Sequence, residues 1–361
     1  MQTQFKSTNE FSGHIYIFHA FDVGDDVNLE AIEKLRSIKT IPLKLPKYFK
    51  NYNTPLSIEL PHPNESAWCV SCKIHNFGAV SLTYKIPFTE SLEDLRKEFY
   101  NIHYQYQDQS VTDVKLIFNK IEKYITQPDF YQTRSSYNII QVNPQPKKIN
   151  LTDFQKQFGG LIASTIRFET ESLSEYQKNE IIDAAIGYYR GNLIMVDTDT
   201  TFIYDDDYDD LLAFIEFANL QQLELEYFDR LLDEKLNKIY ESGATQKVPF
   251  TSYLPFIDTV ADPVATLGKL RVDISVITER LEGSIKLAGE PYYSEIHAQL
   301  IKKLNLKSWQ QAIERKLNII QDVQEIYQHK TDVIRQNIIE VLIVLLIAIE
   351  LVIGILHYFK P

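Results

Sequence analysis

The chain has 361 residues, 44% of them hydrophobic, and a formal net charge of −12. This length allows two soluble regions and an anchor, while the acidic balance disfavours direct binding of nucleic acid through a basic surface. The two cysteines do not suggest a disulfide framework, and they point to a reducing compartment.

The region up to residue 205 mixes predicted strands and helices. Runs of β-branched and aromatic residues predict strands, and apolar residues at helical spacing predict helices. The predicted strands are 14–21, 67–74, 79–86, 137–142 and 161–168, with a strand pair in 185–204; the predicted helices are 28–38, 91–101, 114–125, 152–158 and 174–185. Residues 75–78 form a predicted hairpin turn, and Ser91 with Asp94 is placed to cap the next helix. We therefore predict an α+β domain over residues 1–205 with a mixed, largely antiparallel sheet.

Residues 206–336 are predicted to form a helical hairpin or stalk. The helix at 209–241 carries apolar residues on two faces, so it should pack on both sides. Two later helices carry stripes at heptad spacing, and Ser308 with Gln311 forms a capping box that opens the second of them. The stripe residues are Leu267, Leu270, Ile274, Ile277 and Leu281 in one helix and Ile313, Leu317 and Ile320 in the other. Packing within one chain and coiled-coil pairing between subunits both satisfy this pattern.

The last predicted domain, residues 337–361, contains an apolar segment long enough to cross a membrane. The charged residues within 338–356 are Glu340 and Glu350, and about 19 helical residues span the ~30 Å hydrocarbon core. The Leu, Ile and Val side chains contribute roughly −7 kcal/mol to insertion, against about +3 kcal/mol for a carboxylate at mid-span. We therefore predict a transmembrane helix; the alternative is a helix buried in a soluble bundle.

The charges around this segment predict its orientation. Lys330 and Arg335 precede it and Lys360 follows it, and positive residues favour the cytoplasmic side. The first residues, MQTQFKSTNEFSG, look like neither a secretory signal nor a mitochondrial presequence. We therefore expect a single-pass, C-terminally anchored protein with its N-terminal bulk in the cytoplasm, in a bacterial inner membrane or an equivalent one.

One stripe of the apolar helix carries residues that lipid does not favour. The stripe, at steps of four and three, consists of Ile343, Ile347, Glu350, Gly354 and His357. Ionisable side chains in membranes usually face protein, and glycine allows close approach of a second helix. We predict homo-oligomerisation through this stripe; the alternative is that Glu350 faces lipid as a neutral acid.

Four segments carry a family resemblance: LIMVDTDTTFIYDDD at 193–207 and the helical stretches 214–241, 270–296 and 309–327. They resemble the required-for-meiotic-nuclear-division family. The resemblance implies an α+β domain, a helical hairpin and a C-terminal membrane helix in an oligomeric, membrane-held protein. In that family, mitochondrial members support organellar translation and fungal members relate to sporulation, whereas the lack of a presequence here favours a bacterial relative. The resemblance supplies no catalytic residues for this sequence.

The segment WCVSCK at 68–73 imitates the thioredoxin redox motif. That chemistry needs the first cysteine at a helix N-terminus, where the thiolate is stabilised. Here the flanks alternate as in strands, so we expect Cys69 and Cys72 to point to opposite faces of a sheet. A zinc site that includes His75 is the other interpretation, but no second CxxC completes it. We expect neither function.

The segment DTDTT at 197–201 matches the nucleophile loop of haloacid-dehalogenase phosphatases. In that interpretation Asp197 attacks phosphorus and Asp199 acts as general acid. Such a fold needs a parallel sheet beyond the motif, whereas this chain is predicted to continue as a hairpin rim and then as helices. The acidic run Asp205, Asp206 and Asp207 supplies candidate ligands for a divalent cation, and a solvated loop is the alternative.

Together these patterns favour a membrane-anchored, homo-oligomeric interaction or scaffold protein without enzymatic activity or cofactor. Its expected partners are the lipid bilayer, its own copies and a further protein whose identity the sequence leaves open. The alternative is a membrane-tethered, metal-dependent hydrolase or phosphatase that uses the loop of Asp197 and Asp199.

Overall fold

The computed structural model describes residues 10–43, 49, 54–59, 68–130, 134–145, 151–187, 191–243, 268, 271–272, 274–275 and 290–358. The described residues form two compact units. The first unit lies within Met1–Tyr227 and Arg280–Trp309, and the second lies within Phe228–Glu279 and Gln310–Pro361. The domain limits after residues 205 and 336, which follow composition, stay predictions.

The first unit is built on one mixed seven-stranded sheet. Its strands are β1 Glu10–Asp22, β2 Leu56–Ile58, β3 Cys69–Ile74, β4 Ala79–Ser91, β5 Arg134–Val142, β6 Leu193–Val196 and β7 Thr200–Tyr204. Their order is β2-β3-β4-β1-β5-β7-β6, and the neighbouring strands are antiparallel except β5 and β7, which run parallel. The predicted α+β class with a largely antiparallel sheet is confirmed.

The described helices begin at local signals that the sequence displays. They are α1 Leu29–Glu33, α2 Leu92–Ile121, α3 Leu151–Ile166, α4 Glu175–Asp183, α5 Asp209–Gly243, α6 Pro291–Lys303 and α7 Leu306–Tyr358, with a short 3-10 helix at Glu122–Tyr124. The Ser91 hydroxyl accepts the main-chain N–H of Asp94 at 3.1 Å, so the predicted cap of α2 is confirmed. Pro291 opens α6, where its missing N–H costs nothing.

Alternating side chains of β1 divide the sheet into two covered faces. Ile17 and Phe21 belong to the apolar core that also holds residues of α2 and α3. On the other face, Ala20 packs with Leu220 and Leu223 of α5. Both rows of β1 side chains are therefore largely buried, and polar side chains on either face need partners within the protein.

Three predicted elements differ from the structure. The segment 161–168, predicted as a strand, lies mostly in α3, because a short apolar run such as LIASTI fits a buried helix as well as a strand. The helices predicted at 91–101 and 114–125 are one continuous α2, in which His103 and Ser110 occupy buried positions and so hide the apolar period. Helix α7 begins at Leu306, so Ser308 lies in its first turn and not at its cap.

The second unit contains the C-terminal part of α5 and most of α7. Within it, Lys316 of α7 lies 2.6 Å from Asp229 and 2.7 Å from Asp233, both on α5. The stripe residues that the structure describes are buried: Ile274, Ile313, Leu317 and Ile320. The others, Leu267, Leu270, Ile277 and Leu281, lie outside the described residues. The ion pairs favour packing within one chain for this part of α7.

The hairpin between β3 and β4 turns at Gly78, which has a φ of +87°. A Cβ atom at this position would lie 1.7 Å from the carbonyl oxygen of Gly24. The main-chain N–H of Val23 also donates to the carbonyl oxygen of Gly78 at 2.8 Å. The turn and the loop after β1 are thus packed backbone to backbone, which only glycine permits.

We predict that Gly78→Ala destabilises the first unit by about 3 kcal/mol or more, because left-handed strain adds to a clash with backbone. The matched control is Gly191→Ala: Gly191 has a φ of +122°, but a Cβ atom there has no neighbour within 4 Å. Its cost should be the strain alone, about 1–2 kcal/mol. Unfolding of the full-length protein in mild detergent, followed by near-ultraviolet circular dichroism, measures both, and equal losses would contradict the clash.

Candidate functional site

The DTDTT segment forms the tight turn between β6 and β7 at one edge of the sheet. Tyr137 of β5 donates its hydroxyl hydrogen to the carbonyl oxygen of Asp197 at 2.6 Å. Asn138 donates its main-chain N–H and its side-chain amide to the carbonyl oxygen of Asp199, at 2.9 and 3.0 Å. These bonds fix the turn to the sheet, and they place both predicted phosphatase residues in an antiparallel hairpin.

The carboxylate of Asp197 bridges two cations. Arg167, just after α3, donates from Nε to Oδ2 at 2.6 Å, and Lys303, at the end of α6, donates from Nζ to Oδ1 at 2.8 Å. The residue is 2% exposed. Burial raises the pKa of Asp197, but the hydrogen bonds and charges of Arg167 and Lys303 outweigh it and hold that pKa below its ordinary value. The carboxylate is therefore ionised, and both its oxygens are engaged.

Glu180 of α4 joins this cluster, which is termed the Asp197 clamp: Asp197, Arg167, Lys303 and Glu180. The carboxylate of Glu180 lies 3.5 Å from Arg167 and 3.7 Å from Lys303. Arg167 also donates a hydrogen bond to Gln177 of α4. Two cations face two carboxylates, so the clamp is neutral overall. It ties α4, α6 and the end of α3 to the β6–β7 hairpin.

Asp199 stays outside the clamp. Its side chain is exposed and accepts a hydrogen bond from the hydroxyl of Thr198 at 3.1 Å. The two carboxylates that the phosphatase interpretation requires are thus separated, one held between cations and the other in solvent. The hydrolase stays a hypothesis from the sequence, without the convergence that catalysis needs.

The acidic run after β7 is partly tied to the protein backbone. Asp205 accepts hydrogen bonds from the side-chain amide of Asn192 at 3.3 Å and from the main-chain N–H of Asp207 at 3.2 Å. Burial raises the pKa of Asp205, while Asp206 and Asp207 are exposed. In the part of the chain that the structure describes, no three His, Cys, Asp or Glu side chains form a group that could hold a metal ion.

The two cysteines lie on the same face of the sheet, so the expectation of opposite faces is wrong. A β-bulge between Cys69 and Ser71 shifts the register, and Cys69 pairs with Tyr84 while Cys72 pairs with Leu82. Both cysteines belong to the apolar core. Burial raises the pKa of Cys69 to about 12 and that of Cys72 well above its ordinary value. Both therefore remain protonated thiols, which are poor nucleophiles.

His75 belongs to a buried polar chain that joins β3 and β4 to α5. Its Nε2 lies 3.1 Å from the hydroxyl of Ser81, which donates to Glu216 of α5 at 3.2 Å, and Lys73 forms an ion pair with the same carboxylate. Burial, and then the charge of Lys73, lower the pKa of His75 to about 3. Ser81 and His75 are 3% and 1% exposed, so this serine–histidine pair has no access to a substrate and serves to hold α5.

A second polar cluster lies beneath α2, and no motif in the sequence analysis predicted it. His19 of β1 is fully buried, and its ring nitrogens have no hydrogen-bond partner among the described residues. Its ring centroid lies 6.0 Å from that of Tyr84 and 6.5 Å from that of His103. Nδ1 of His103 lies 3.0 Å from Oδ1 of Asn138. Burial is the main cause that lowers the pKa of His19 to about 3. Its one sequence signal is a histidine at a core-facing position of HIYIFHAF.

Glu224 of α5 is a buried acid whose loss of hydrogen bonds to water is not compensated within the described structure. It is 4% exposed, and neither of its carboxyl oxygens has a hydrogen-bond partner in the ranges that the structure describes. Burial raises the pKa of Glu224 well above its ordinary value, so folding favours the neutral form of this side chain. Such a group lowers stability, because it leaves water without replacing the hydrogen bonds that it loses.

The end of α7 is long and apolar enough to cross a membrane. The helical span Asp332–Ile355 contains an 18-residue window with a mean hydropathy of 3.0, and 0% of that window is buried within the described chain. The residues of the predicted oligomer stripe are all exposed: Ile343, Ile347, Glu350, Gly354 and His357. No described part of the chain covers this surface.

We predict that Asp197→Asn destabilises the first unit by about 2–4 kcal/mol at pH 7, because two partly buried cations lose their shared partner. Folding lowers the pKa of Asp197 from its ordinary value of 3.8. The carboxylate therefore contributes to the stability of the folded state when the pH is above 3.8, and this contribution is lost as the pH falls through the lower pKa of the folded protein. Urea unfolding of the full-length protein in detergent should show the difference from wild type shrinking at acid pH. The control Asp199→Asn should change stability by less than about 0.5 kcal/mol; an equal loss would refute the clamp.

We further predict that Glu224→Met stabilises the protein by about 1–3 kcal/mol at pH 7, because it removes an unsatisfied buried polar group. The pKa of Glu224 is raised on folding above 4.5, so wild type loses stability as the pH rises above that value and the unfolded chain releases the proton. The gain should accordingly be larger at pH 8 than at pH 4.5 in the same unfolding assay. Exposed Glu98 supplies the control, Glu98→Met, for which a similar gain would contradict the prediction.

Comparison with known proteins relates part of this chain to a protein family. The model of "Uncharacterized protein MJ0711, N-terminal domain" matches residues 12–210. The uncharacterized protein MJ0711 of Methanocaldococcus jannaschii is 23% identical over 219 residues, which cover 56% of this chain and 61% of that relative. The aligned region thus spans less than two thirds of the relative's length, and the search of solved structures found no match. Neither match concerns the required-for-meiotic-nuclear-division family, so that resemblance stays a prediction. Because the matched residues make up more than half of the 361, the chain belongs to the family of the MJ0711 N-terminal domain.

Proposed function

We propose that this chain is a membrane-anchored, homo-oligomeric interaction protein, held in a bilayer by the end of α7 and without catalytic activity. The observation that carries the proposal is the helical span Asp332–Ile355. It contains an 18-residue window with a mean hydropathy of 3.0, of which 0% is buried within the described chain. A surface of this size needs an apolar environment, and a bilayer shared with further copies of the helix supplies one.

The dimensions of the span Asp332–Ile355 favour lipid, and not a docking groove on another protein, as its surroundings. Its 24 residues rise by about 36 Å as an α-helix, which is enough to cross a ~30 Å hydrocarbon core. Val341, Val344 and Leu346 lie on different sides of the helix and are 64%, 66% and 64% exposed. Because the exposure runs around the helix, a partner that covered one side would leave the rest in water, whereas lipid covers every side.

The placement that we propose is a single pass with the first unit on the cytoplasmic side of a bacterial inner membrane or an equivalent one. Lys330 and Arg335, which precede the apolar residues 338–356, support this orientation. The resemblance to the required-for-meiotic-nuclear-division family implies the same arrangement, an oligomeric protein held in a membrane.

We assign the oligomer contact to the membrane stripe, defined as Ile343, Ile347, Glu350, Gly354 and His357. A carboxyl group inside hydrocarbon costs on the order of 3 kcal/mol, and a hydrogen-bond partner on a second helix would offset part of that cost for Glu350. Gly354 follows one turn later and has no side chain to keep a second helix away. These two features favour self-association over solvation of Glu350 by lipid.

The polar groups of the first unit support a binding role over a catalytic one. Asp197 has both oxygens engaged by Arg167 and Lys303. Ser81 and His75 are buried beneath α5. Since these candidate reactive groups serve to fasten helices onto the sheet, we propose that the first unit offers a rigid surface to a further protein.

We predict that Glu350→Leu leaves the chain in the membrane but weakens the oligomer. Removing a carboxyl group from the span favours insertion by about 3 kcal/mol, while the loss of its hydrogen bond between helices weakens association. Membranes that contain the full-length wild type or variant are first extracted with carbonate. The protein is then dissolved in detergent, and its mass is measured by light scattering coupled to size-exclusion chromatography. Both should resist extraction, and the protein mass of the variant should be the smaller.

Leu345 lies off the membrane stripe, so the control Leu345→Val should keep the wild-type mass. Equal masses for wild type and Glu350→Leu would reject the membrane stripe as the oligomer contact. Release of wild type by carbonate would reject the anchor itself, and the two parts of the proposal can therefore fail separately.

A further inference from the structure

Helix α7 carries an exposed apolar row on the N-terminal side of the apolar residues 338–356. Ile319, Ile326 and Val333 are 49%, 65% and 42% exposed and follow one another at intervals of seven residues. Single exposed hydrophobic residues are ordinary on protein surfaces. Seven-residue spacing instead places these three on one line of the helix, which is the pattern of a helix that meets another helix lengthwise.

This row and the membrane stripe belong to one heptad frame. Steps of seven divide the face into two rows: Ile319, Ile326, Val333, Glu340, Ile347 and Gly354 form the first, and Asp322, His329, Gln336, Ile343, Glu350 and His357 form the second. The rows alternate at steps of three and four, as in a coiled-coil seam. The six positions before residue 338 are termed the proximal seam: Ile319, Asp322, Ile326, His329, Val333 and Gln336.

The proximal seam is distinct from the face that α7 buries within its own chain. Ile320 is fully buried, whereas its neighbour Ile319, about 100° further around the helix, is exposed. Four seam residues, with Glu325 and Ile334 beside them, line a shallow groove: Asp322, Ile326, His329 and Val333. No part of the chain that the structure describes covers this face.

We propose that a second copy of this chain covers the proximal seam, parallel and in register, so that the helix contact inside the membrane continues to Ile319. The inference rests on the proposed function. The proposal is supported by the heptad frame that the proximal seam shares with the membrane stripe. Binding of a different partner would not require the proximal seam to keep the register of the membrane stripe. Copies inserted in the same orientation run parallel, and the common depth of their apolar segments aligns like residues.

The composition of the seam explains why the contact depends on the anchor. The apolar row alternates with Asp322, His329 and Gln336, so every second layer of the contact is polar. Polar layers in a coiled coil fix register and orientation at a cost in stability. The proximal seam thus selects the register of helices that the bilayer has already brought together, and it is too weak to pair them alone.

Cysteine cross-linking of the full-length protein in native membranes tests this contact. Cys69 and Cys72 are buried, so unmodified wild type supplies the background. Ile319→Cys and Ile326→Cys report on the proximal seam, and Ile347→Cys reports on the membrane stripe. The control is Glu314→Cys, because Glu314 is exposed on α7 but lies outside both rows. After oxidation with copper phenanthroline, dimer bands are compared on non-reducing gels.

We expect Ile319→Cys and Ile326→Cys to give at least about five-fold more disulfide-linked dimer than Glu314→Cys, because only the seam positions bring like Cβ atoms within disulfide reach. One outcome would overturn this inference and leave the proposed function standing. In that outcome Ile347→Cys gives disulfide-linked dimer, whereas Ile319→Cys and Ile326→Cys give no more dimer than the control. An absence of dimer at all positions would overturn both. Equal dimer at Glu314→Cys would show random collision and also overturn the contact.

Discussion

The first unit depends on β1, which pairs with β4 along all of its 13 residues and with β5 over most of its length. Both edges of β1 are paired and both of its faces are covered by helices. Each buried side chain of β1 must therefore pack against one of two different helix layers. Ile17 and Phe21 face α2 and α3, and Ala20 faces α5. A shift of the register by one residue would exchange the two rows and bury each against the wrong layer. The three-layer order of the unit follows from this one strand.

Polar groups, and not only apolar packing, hold the helix layers to the sheet. Lys73 and Glu216 fasten α5 on one face, and the Asp197 clamp fastens α6 and α4 at the β6–β7 edge. A buried ion pair costs desolvation that its attraction repays only with good geometry, and Asp197 meets this condition with two contacts at 2.6 and 2.8 Å. His19 and Glu224 are buried without any hydrogen-bond partner in the described ranges, so the hydrogen bonds that they lost with water are not replaced. The domain is therefore stabilised at its edge and weakened at two points inside.

The features that the sequence predicted correctly are those set by neighbours along the chain. The two hairpins, the Ser91 cap and the length of α5 all follow from residues within a few positions of each other. The missed features depend on distant residues. Arg167 lies 30 positions from Asp197 and Lys303 lies 106 positions from it, so no local pattern distinguishes a clamped aspartate from a nucleophile. The bulge that turns Cys69 and Cys72 to one face depends on pairing with β4, and the apolar run of α3 has no period long enough to exclude a strand.

The Asp197 clamp extends beyond the region that the family model matches. The matched region ends at residue 210, just as α5 begins, yet one cation of the Asp197 clamp is Lys303 at the end of α6. The shared sheet domain is thus completed in this chain by a helix outside the matched region. The helix α7 begins three residues after Lys303 and continues into the apolar span. The residue that engages Asp197 is thus the last one of α6 before α7. An aspartate buried between two cations holds such a junction firmly, because breaking either contact leaves a charge without its partner.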